Sequence, residues 1–501
     1  MSLPPLASGP HDALSPLLAT VLDALAEGAR RRGGPLPAGG PQAVASRVRD
    51  AVGDLLPQQG DPGALSAIVR TLAEGSADPA DPLCAAHLHC PPLALPVAAD
   101  LAASTLNPSL DSWDQAPAAS EVEALVTGVL AGEVYGGMRA EGVEAGALGA
   151  EAALGAGAEA ALAPGAAGTE ALVAGASRAG ASGREAALTP DALVTTGGTE
   201  SNHLALLLAR EAHGASLQLL CGANAHHSLP RAAWLLGLPE PLVVPTPAGV
   251  LDPAALDAAL DRLTGPVLVA ATAGTTDAGL IDPLPEVAAR CAAHGARLHV
   301  DAAYGGGLLF SARHRGKLAG IRAAHTVTLD LHKIGWQPVA AGLLAVRDSR
   351  DLDALHHRAD YLNADDDTEA GLPDLLGRSL RTTRRPDALK IAVTLKTLGR
   401  TGLAELVDQV CDLARQFADR VEEHPHFELH ARPVISTVLF RPTGADVAAV
   451  RRTLLEQGTA VLGRARTGDG RLWLKATLLN PHTRPADLGR LLDLVEGTTP
   501  T

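Results

Sequence analysis

Only five of the chain's 41 lysines and arginines are lysine: Lys317, Lys333, Lys390, Lys396 and Lys475. Lys333 stands in "TVTLDLHKIGWQP", straight after an alternating, β-branched run that ends in Asp-Leu-His. Where arginine is the default cation, a retained lysine is a candidate for what arginine cannot do, which is to lose a proton and attack a carbonyl. Its place just beyond a predicted strand puts it at the carboxyl end of a sheet, where open α/β folds hold their ligands. Taken alone, a lysine snorkelling at a strand end explains the position as well.

Four other stretches keep it company. "RLHVDAAYGGG" ends a strand at Asp301, and an acid closing a buried strand needs a cation to meet it. A protonated ring nitrogen is such a cation, and a carboxylate held against it keeps the ring an electron sink. The plain alternative is a capping or turn aspartate. "VTTGGTESNHLALLLAR" passes from strand to helix through Gly197, Gly198 and Thr199. Free N–H groups and a hydroxyl at a helix start suit an anion such as phosphate, though any βα turn uses these residues. Glu200 reads as a first-turn acid favoured by the helix dipole. "ANAHHSLPRAAWLLG" sets His226 and His227 before a helix, where a histidine either caps or stacks on a flat ring and donates a hydrogen bond. "ATAGTTDAGLIDPL" follows a strand with Thr275, Thr276 and Asp277, otherwise an ordinary turn.

The elements that must position these residues follow a rhythm. "SLQLLCG", "LVVPT", "GPVLVAATAG", "ARLHVDAAY", "HTVTLDLHK" and "AGLLAVRD" are short β-rich runs, several separated by helical stretches such as "LPEVAARCAAHG". This alternation predicts βαβ units and a mainly parallel sheet covered on both faces. Residues 1–92 read as an N-terminal helical segment and 93–385 as the large α/β domain. Beyond 386 a long helical region precedes the strand candidates "ISTVLFRP" and "RLWLKATLLN", which predicts a smaller α+β domain over 386–501. Residues 140–190 are nearly all Ala, Gly and Glu, and read as a low-complexity insertion that buries too little to offset its ordering entropy.

Bulk properties exclude several classes. A formal charge of -15 disfavours nucleic acid and favours cationic small molecules. The five cysteines are odd in number and scattered, with neither metal spacing nor a disulfide framework. "MSLPPLASGPHDALSPLL" lacks a basic n-region, so no secretory signal is expected, and no apolar run is long enough to span a bilayer. The expected location is the cytoplasm.

Taken in order, the glycine-rich turn, the His pair, the Gly-Thr-Thr turn, the strand-ending Asp and the His-Lys pair resemble the group II pyridoxal-phosphate-dependent amino-acid decarboxylases. The motifs are "TTGGTESN", "AHHS", "TAGTTDAGLIDPLPEVA", "HVDAAYGGG" and "TLDLHK". The likeness extends to "NPSLDSWDQAPAASEVE" upstream and to "ADYLN", "TTRRPDALK" and "LWLKATLLNP" downstream, within roughly residues 80–485 apart from the insertion. Within the family the chain looks most similar to bacterial decarboxylases of L-2,4-diaminobutyrate and of lysine.

The resemblance implies PLP fold type I, the aspartate-aminotransferase-like fold, with pyridoxal 5'-phosphate as cofactor and no metal. It implies that Lys333 holds the cofactor covalently, that Asp301 pairs with the pyridine nitrogen and that His226 stacks on the ring. Gly198, Thr199 and His332 would hold the phosphate. Thr275 would lie near the ring's phenolic side or the Asp301 carboxylate, and Ala303 and Asp330 complete the cofactor set. Lys333, His226, Asp301 and His332 are the implied catalytic residues. "DPLCAAHLHCPPL" resembles the family's pocket-lining stretch and offers His87 and Cys90 to the substrate, where aromatic-specific relatives place rings.

Two departures stand out. Relatives acting on aromatic amino acids carry a loop tyrosine that is thought to protonate the product; here Leu375 falls at about that place, and Tyr361 precedes the loop. The proton then falls to His332 or His226. "HKIGWQP" also replaces the more polar-aromatic sequence of the diamino-acid branch. Asp365, Asp366 and Asp367 on the loop read as solvated carboxylates, or as a greeting for a distal ammonium.

The implied activity is decarboxylation of an L-amino acid to an amine and carbon dioxide, on an aliphatic diamino acid such as 2,4-diaminobutyrate, lysine or ornithine. The implied assembly is a homodimer with a shared site. The alternatives are an aromatic-amino-acid decarboxylase or aldehyde-forming oxidative variant on the same fold, and a non-catalytic cofactor-binding protein. Retention of both Lys333 and Asp301 speaks against the last.

Overall fold

The computed structural model describes residues 5–7, 13–136, 188–357, 359 and 362–498. Tyr361 and almost all of the Ala/Gly-rich segment lie outside the described residues.

Twelve strands are described: β1 (Cys84–Ala85), β2 (Asp191–Thr195), β3 (Gln218–Gly222), β4 (Leu242–Val244), β5 (Val267–Thr272), β6 (Arg297–Ala302), β7 (Thr326–Asp330), β8 (Gly342–Val346), β9 (Phe427–Leu429), β10 (Thr437–Pro442), β11 (Val461–Arg466) and β12 (Leu472–Thr477). Seven form one sheet in the order β2-β8-β7-β6-β5-β3-β4. β8 runs against both of its neighbours, and the other pairings are parallel. This is the mainly parallel α/β sheet that the sequence predicts. Its central strands β5, β7 and β8 are buried along their whole length, which explains their Val/Leu/Ala composition.

The second sheet has the order β1-β11-β12-β10-β9. β1 was not visible in the sequence. It lies in the predicted N-terminal helical segment, whose helices are Ser15–Arg32, Gly40–Val52 and Ala64–Gly75, yet it pairs in parallel with β11. A two-residue strand leaves no period to read. The long helix Ala388–Glu423 is interrupted at Gly399, whose φ of 59° leaves the helical region and favours glycine.

One buried ion pair ties the helix Pro117–Tyr135 to the segment before Ala388. Arg384 Nη1 donates to both carboxylate oxygens of Glu123, at 2.8 and 2.9 Å, with the two side chains only 2% and 7% exposed. Removing one partner of such a pair strands the other charge. Glu123→Ala is expected to cost about 3–5 kcal/mol. The readout is a lower denaturant midpoint at unchanged slope. A midpoint that does not move would show that the pair carries no stability.

Candidate active site

The chemistry-bearing residues converge at the carboxyl ends of the parallel strands. Gly197 and Gly198 follow β2, His226 follows β3, Thr272 ends β5, Asp301 stands one residue before the end of β6, and Asp330 ends β7 with His332 and Lys333 just beyond. Together they line a cavity of about 310 Å³, which Gly198, Thr199, His226, Asp301, Ala303, Asp330, His332 and Lys333 all reach. That strand edge is where a doubly wound sheet leaves a crevice.

Lys333 is 18% exposed, and its Nζ lies 2.8 Å from Asp330 Oδ2, an oxygen that also faces His332 Nε2 at 3.5 Å. Asp301 accepts from Asn202 Nδ2 at 2.9 Å and from the Ala303 N–H at 3.0 Å. Burial lowers the pKa of His226 against the opposing pull of Asp301, and burial likewise lowers that of His332 against Asp330. Both histidines therefore enter neutral pH uncharged.

Three expected contacts are corrected. Thr276, not Thr275, lines the cavity; the Thr275 hydroxyl is spent on the Leu280 N–H at 3.0 Å, inside its own turn. His87 is exposed and Cys90 is buried away from the wall, and Leu88 between them lines the cavity instead. The Cys90 thiol donates to the His332 carbonyl at 3.1 Å, and burial pushes its pKa up to about 12. Leu375, at the place of the loop tyrosine, is buried with Leu110 and Ala116. Asp366 and Asp367 are exposed on the short helix Asp365–Glu369 and do not reach the cofactor cavity.

The sequence reading missed two residues. Asn202, at the start of the second turn of the helix Gly198–His213, holds Asp301. Lys475 on β12 donates to the Thr276 carbonyl at 3.0 Å, with burial lowering its pKa against the pull of Asp277. Its scarcity among the basic residues was the available signal.

The cavity fits pyridoxal phosphate. The N–H groups of Gly198, Thr199 and Glu200 open a helix and have no intrahelical acceptors. A Cβ at Gly198 would come within 3.0 Å of Ala303 Cβ and 3.1 Å of Asp330 Oδ2, so glycine keeps that approach open. Three cavity-lining residues carry buried polar atoms without protein partners among the described residues: Thr272 Oγ1, Asp330 Oδ1 and His332 Nδ1. An acid for the ring nitrogen, an imidazole for the ring face and an amine for the aldehyde complete the set.

Comparison with known proteins agrees. Residues 171–443 match the pyridoxal-dependent decarboxylase conserved domain. The L-2,4-diaminobutyrate decarboxylase of Rhizobium meliloti is 38% identical over 474 residues, covering 90% of this chain and 85% of its own. The enzyme of the same name from Acinetobacter baumannii is 30% identical, covering 81% and 78%. Among solved structures, the glutamate decarboxylase domain of the Vibrio parahaemolyticus diaminobutyrate-pyruvate transaminase and L-2,4-diaminobutyrate decarboxylase aligns with a TM-score of 0.76 at 27% identity, covering 97% and 95%. Oryza sativa TDC with PLP and tryptamine shares the fold, with a TM-score of 0.80 at 22% identity over 99% of each chain. The chain belongs to the pyridoxal-dependent decarboxylase family. It is a fold type I enzyme that uses pyridoxal phosphate to decarboxylate an amino acid.

Proposed function

We propose that the substrate is an aliphatic diamino acid, L-2,4-diaminobutyrate foremost, and that the products are the corresponding diamine and carbon dioxide. The observation that carries this reading is the 38% identity to a decarboxylase of that amino acid over nine-tenths of the chain. The wall of the cavity supports it: among the described residues it is apolar at Leu88 and Val339 and carries one aromatic ring, Tyr304, whose hydroxyl is tied to Ser436 and Thr437. An adjoining cleft of about 840 Å³ shares His226 and Thr276 with the cavity and is lined by Asp277 and Asp469 beside Arg466. Those carboxylates offer a distal ammonium a counter-charge.

Bound pyridoxal phosphate supplies an electron sink for the bonding pair that carbon dioxide leaves behind. The chain's own residues do the rest. Asp301 would present a fixed acceptor to the ring nitrogen, and the first turn of the helix Gly198–His213 would take the phosphate. His226 would cover one face of the ring. Lys333 would act through its Nζ, which stands in the cavity 2.8 Å from Asp330 Oδ2. His226, His332 and Lys333 all line the cavity and could return a proton to Cα, an imidazole only after it has first taken one up.

The test is a screen of amino acids for carbon dioxide release with added cofactor. Diaminobutyrate is expected to exceed tyrosine and tryptophan in kcat/KM by on the order of 100-fold, since an unmatched polar group is rejected strongly. Amine should appear without aldehyde or hydrogen peroxide. A win for an aromatic amino acid would overturn the substrate and leave the chemistry standing.

A homodimer in the cytoplasm is the proposed working form. Leu125 and Val129 on the helix Pro117–Tyr135 and Val97 and Leu101 on the helix Ala94–Leu106 are exposed, as surfaces for a second copy would be. All five cysteines are free, which suits a reducing compartment. Among the described residues no helix is long and apolar enough to cross a membrane.

A further inference from the structure

Beneath the cavity floor lies a polar patch that a buried parallel sheet has no packing reason to carry. In the register of β6 and β7, His299 lies opposite Thr326 and Asp301 opposite Thr328. All four are buried, and so are Asn202 and Ser228 above them. Polar groups withdrawn from water are tolerated only when their bonds are made. Here one amide makes most of them.

Asn202 Oδ1 accepts from Thr328 Oγ1 at 2.8 Å and lies 3.0 Å from His299 Nε2. Asn202 Nδ2 donates to Asp301 Oδ2 at 2.9 Å and to Ser228 Oγ at 2.8 Å. The reverse orientation would set the amide oxygen against a carboxylate, so the Asp301 charge fixes the amide. Each hydrogen then follows. His299 Nε2 must be a donor, which leaves its Nδ1, 2.9 Å from Thr326 Oγ1, to accept that hydroxyl's proton. Ser228 Oγ accepts from Asn202, and among the described residues His226 Nδ1, 2.8 Å away, is the acceptor left for its own hydrogen. The Ser228 backbone N–H points at the same nitrogen, at 3.3 Å. Two donors converge on Nδ1, so the His226 proton sits on Nε2.

We infer that Asn202 is a positioning residue that sets the state of two cofactor-facing groups at once: through one N–H it holds Asp301 as an acceptor for the ring nitrogen, and through the other, by way of Ser228, it fixes His226 as an Nε2–H donor. The stacked histidine can thus donate to a substrate but not accept from it. Protonating Nδ1 would require Ser228 to turn its hydrogen away from the only ring nitrogen it serves. The relay therefore holds the imidazole neutral to lower pH than its surroundings alone would. Those surroundings are Asp301, Asp330, Lys333 and the adjacent His227; a change at position 228 removes no contact that the Ser228 hydroxyl makes to any of the four, whereas a change at position 202 also frees Asp301 Oδ2.

The test uses holoenzyme with 15N-labelled histidine, the His226 signals being assigned by their loss in His226→Gln, and separately holoenzyme reconstituted with pyridoxal phosphate labelled at the ring nitrogen. In the wild type, Nδ1 of His226 should resonate as unprotonated and Nε2 as protonated. Ser228→Ala should raise the His226 titration midpoint by about half a unit or more and leave the ring-nitrogen signal in place. Asn202→Ala should raise the midpoint and also move the ring nitrogen toward its unprotonated position. A wild-type His226 protonated on Nδ1 would overturn the relay. So would a Ser228→Ala midpoint equal to the wild type's, whether or not Asn202→Ala folds. A purely structural Asn202 would lower stability and leave both signals where they were.

Discussion

Replacing Lys333 with alanine is expected to abolish carbon dioxide release, with a loss on the order of 10⁴-fold or more in kcat. The expectation rests on position as much as on chemistry. Among the described residues Lys333 is the only lysine lining the cavity, and its amine forms an ion pair with the carboxylate that ends β7. Lys390 is fully buried against Asp387 and Asp100, and Lys475 is engaged with the Thr276 carbonyl, so neither is free to replace it. Lys333→Arg should fail as completely, because a guanidinium keeps its proton and cannot attack the aldehyde. Borohydride reduction of the holoenzyme followed by peptide mapping checks the covalent link. Label at residue 333 is expected in the wild type and none in the alanine variant; label at Lys390 or Lys475 instead would remove the premise of the mechanism.

Asp301→Asn is expected to lower kcat by about 10³-fold with a smaller loss of thermal midpoint than Asp301→Ala. The amide keeps the shape of the side chain and can still offer its oxygen to Asn202, while its NH2 then faces the Ala303 N–H, so one acceptor of the buried network is kept and one is lost. It also loses the negative charge that steadies a positive ring nitrogen as electrons arrive. The comparison with Asp301→Ala separates the two roles, since alanine also deprives Asn202 and the Ala303 N–H of their acceptor and should destabilise the fold. A variant that retains kcat with an amide at this position would show that the carboxylate is not the counter-ion of the reaction.

Much of the site could be read in the sequence because its signals are local. Strand ends, glycine turns and helix starts are set within a few residues, so Gly198, His226, Asp301, His332 and Lys333 could be placed there from local sequence, each open to a plainer reading alone; their order carried the family resemblance, and all five line the cavity. The failures have equally specific causes. Thr275 and Thr276 are both hydroxyls in one tight turn, and only the turn's internal bond to Leu280 decides which faces inward. At His87 to Cys90 the composition was right but the facing was wrong, because the stretch leaves β1 as irregular chain and Leu88 turns in where the polar residues were expected. Asn202 looked like one more polar residue in an amphipathic helix; its partners come from β6, β7 and the turn after β3, and no window of sequence contains them. Lys475 arrives from the other sheet, 142 residues beyond Lys333.

The thiol of Cys90 bonded to the His332 carbonyl has a consequence for how this enzyme can change. One end of the pocket-lining stretch is stitched into the second sheet through β1, and the other is tied to the backbone of the residue preceding the nucleophile. Selectivity and turnover thus share a mechanical linkage. A lineage or an engineer that reshapes this stretch to admit a new amino acid also tugs on the amine that must receive it, so adaptation here proceeds by paired changes, with a recovery step on the far side of the cavity following each shift in preference.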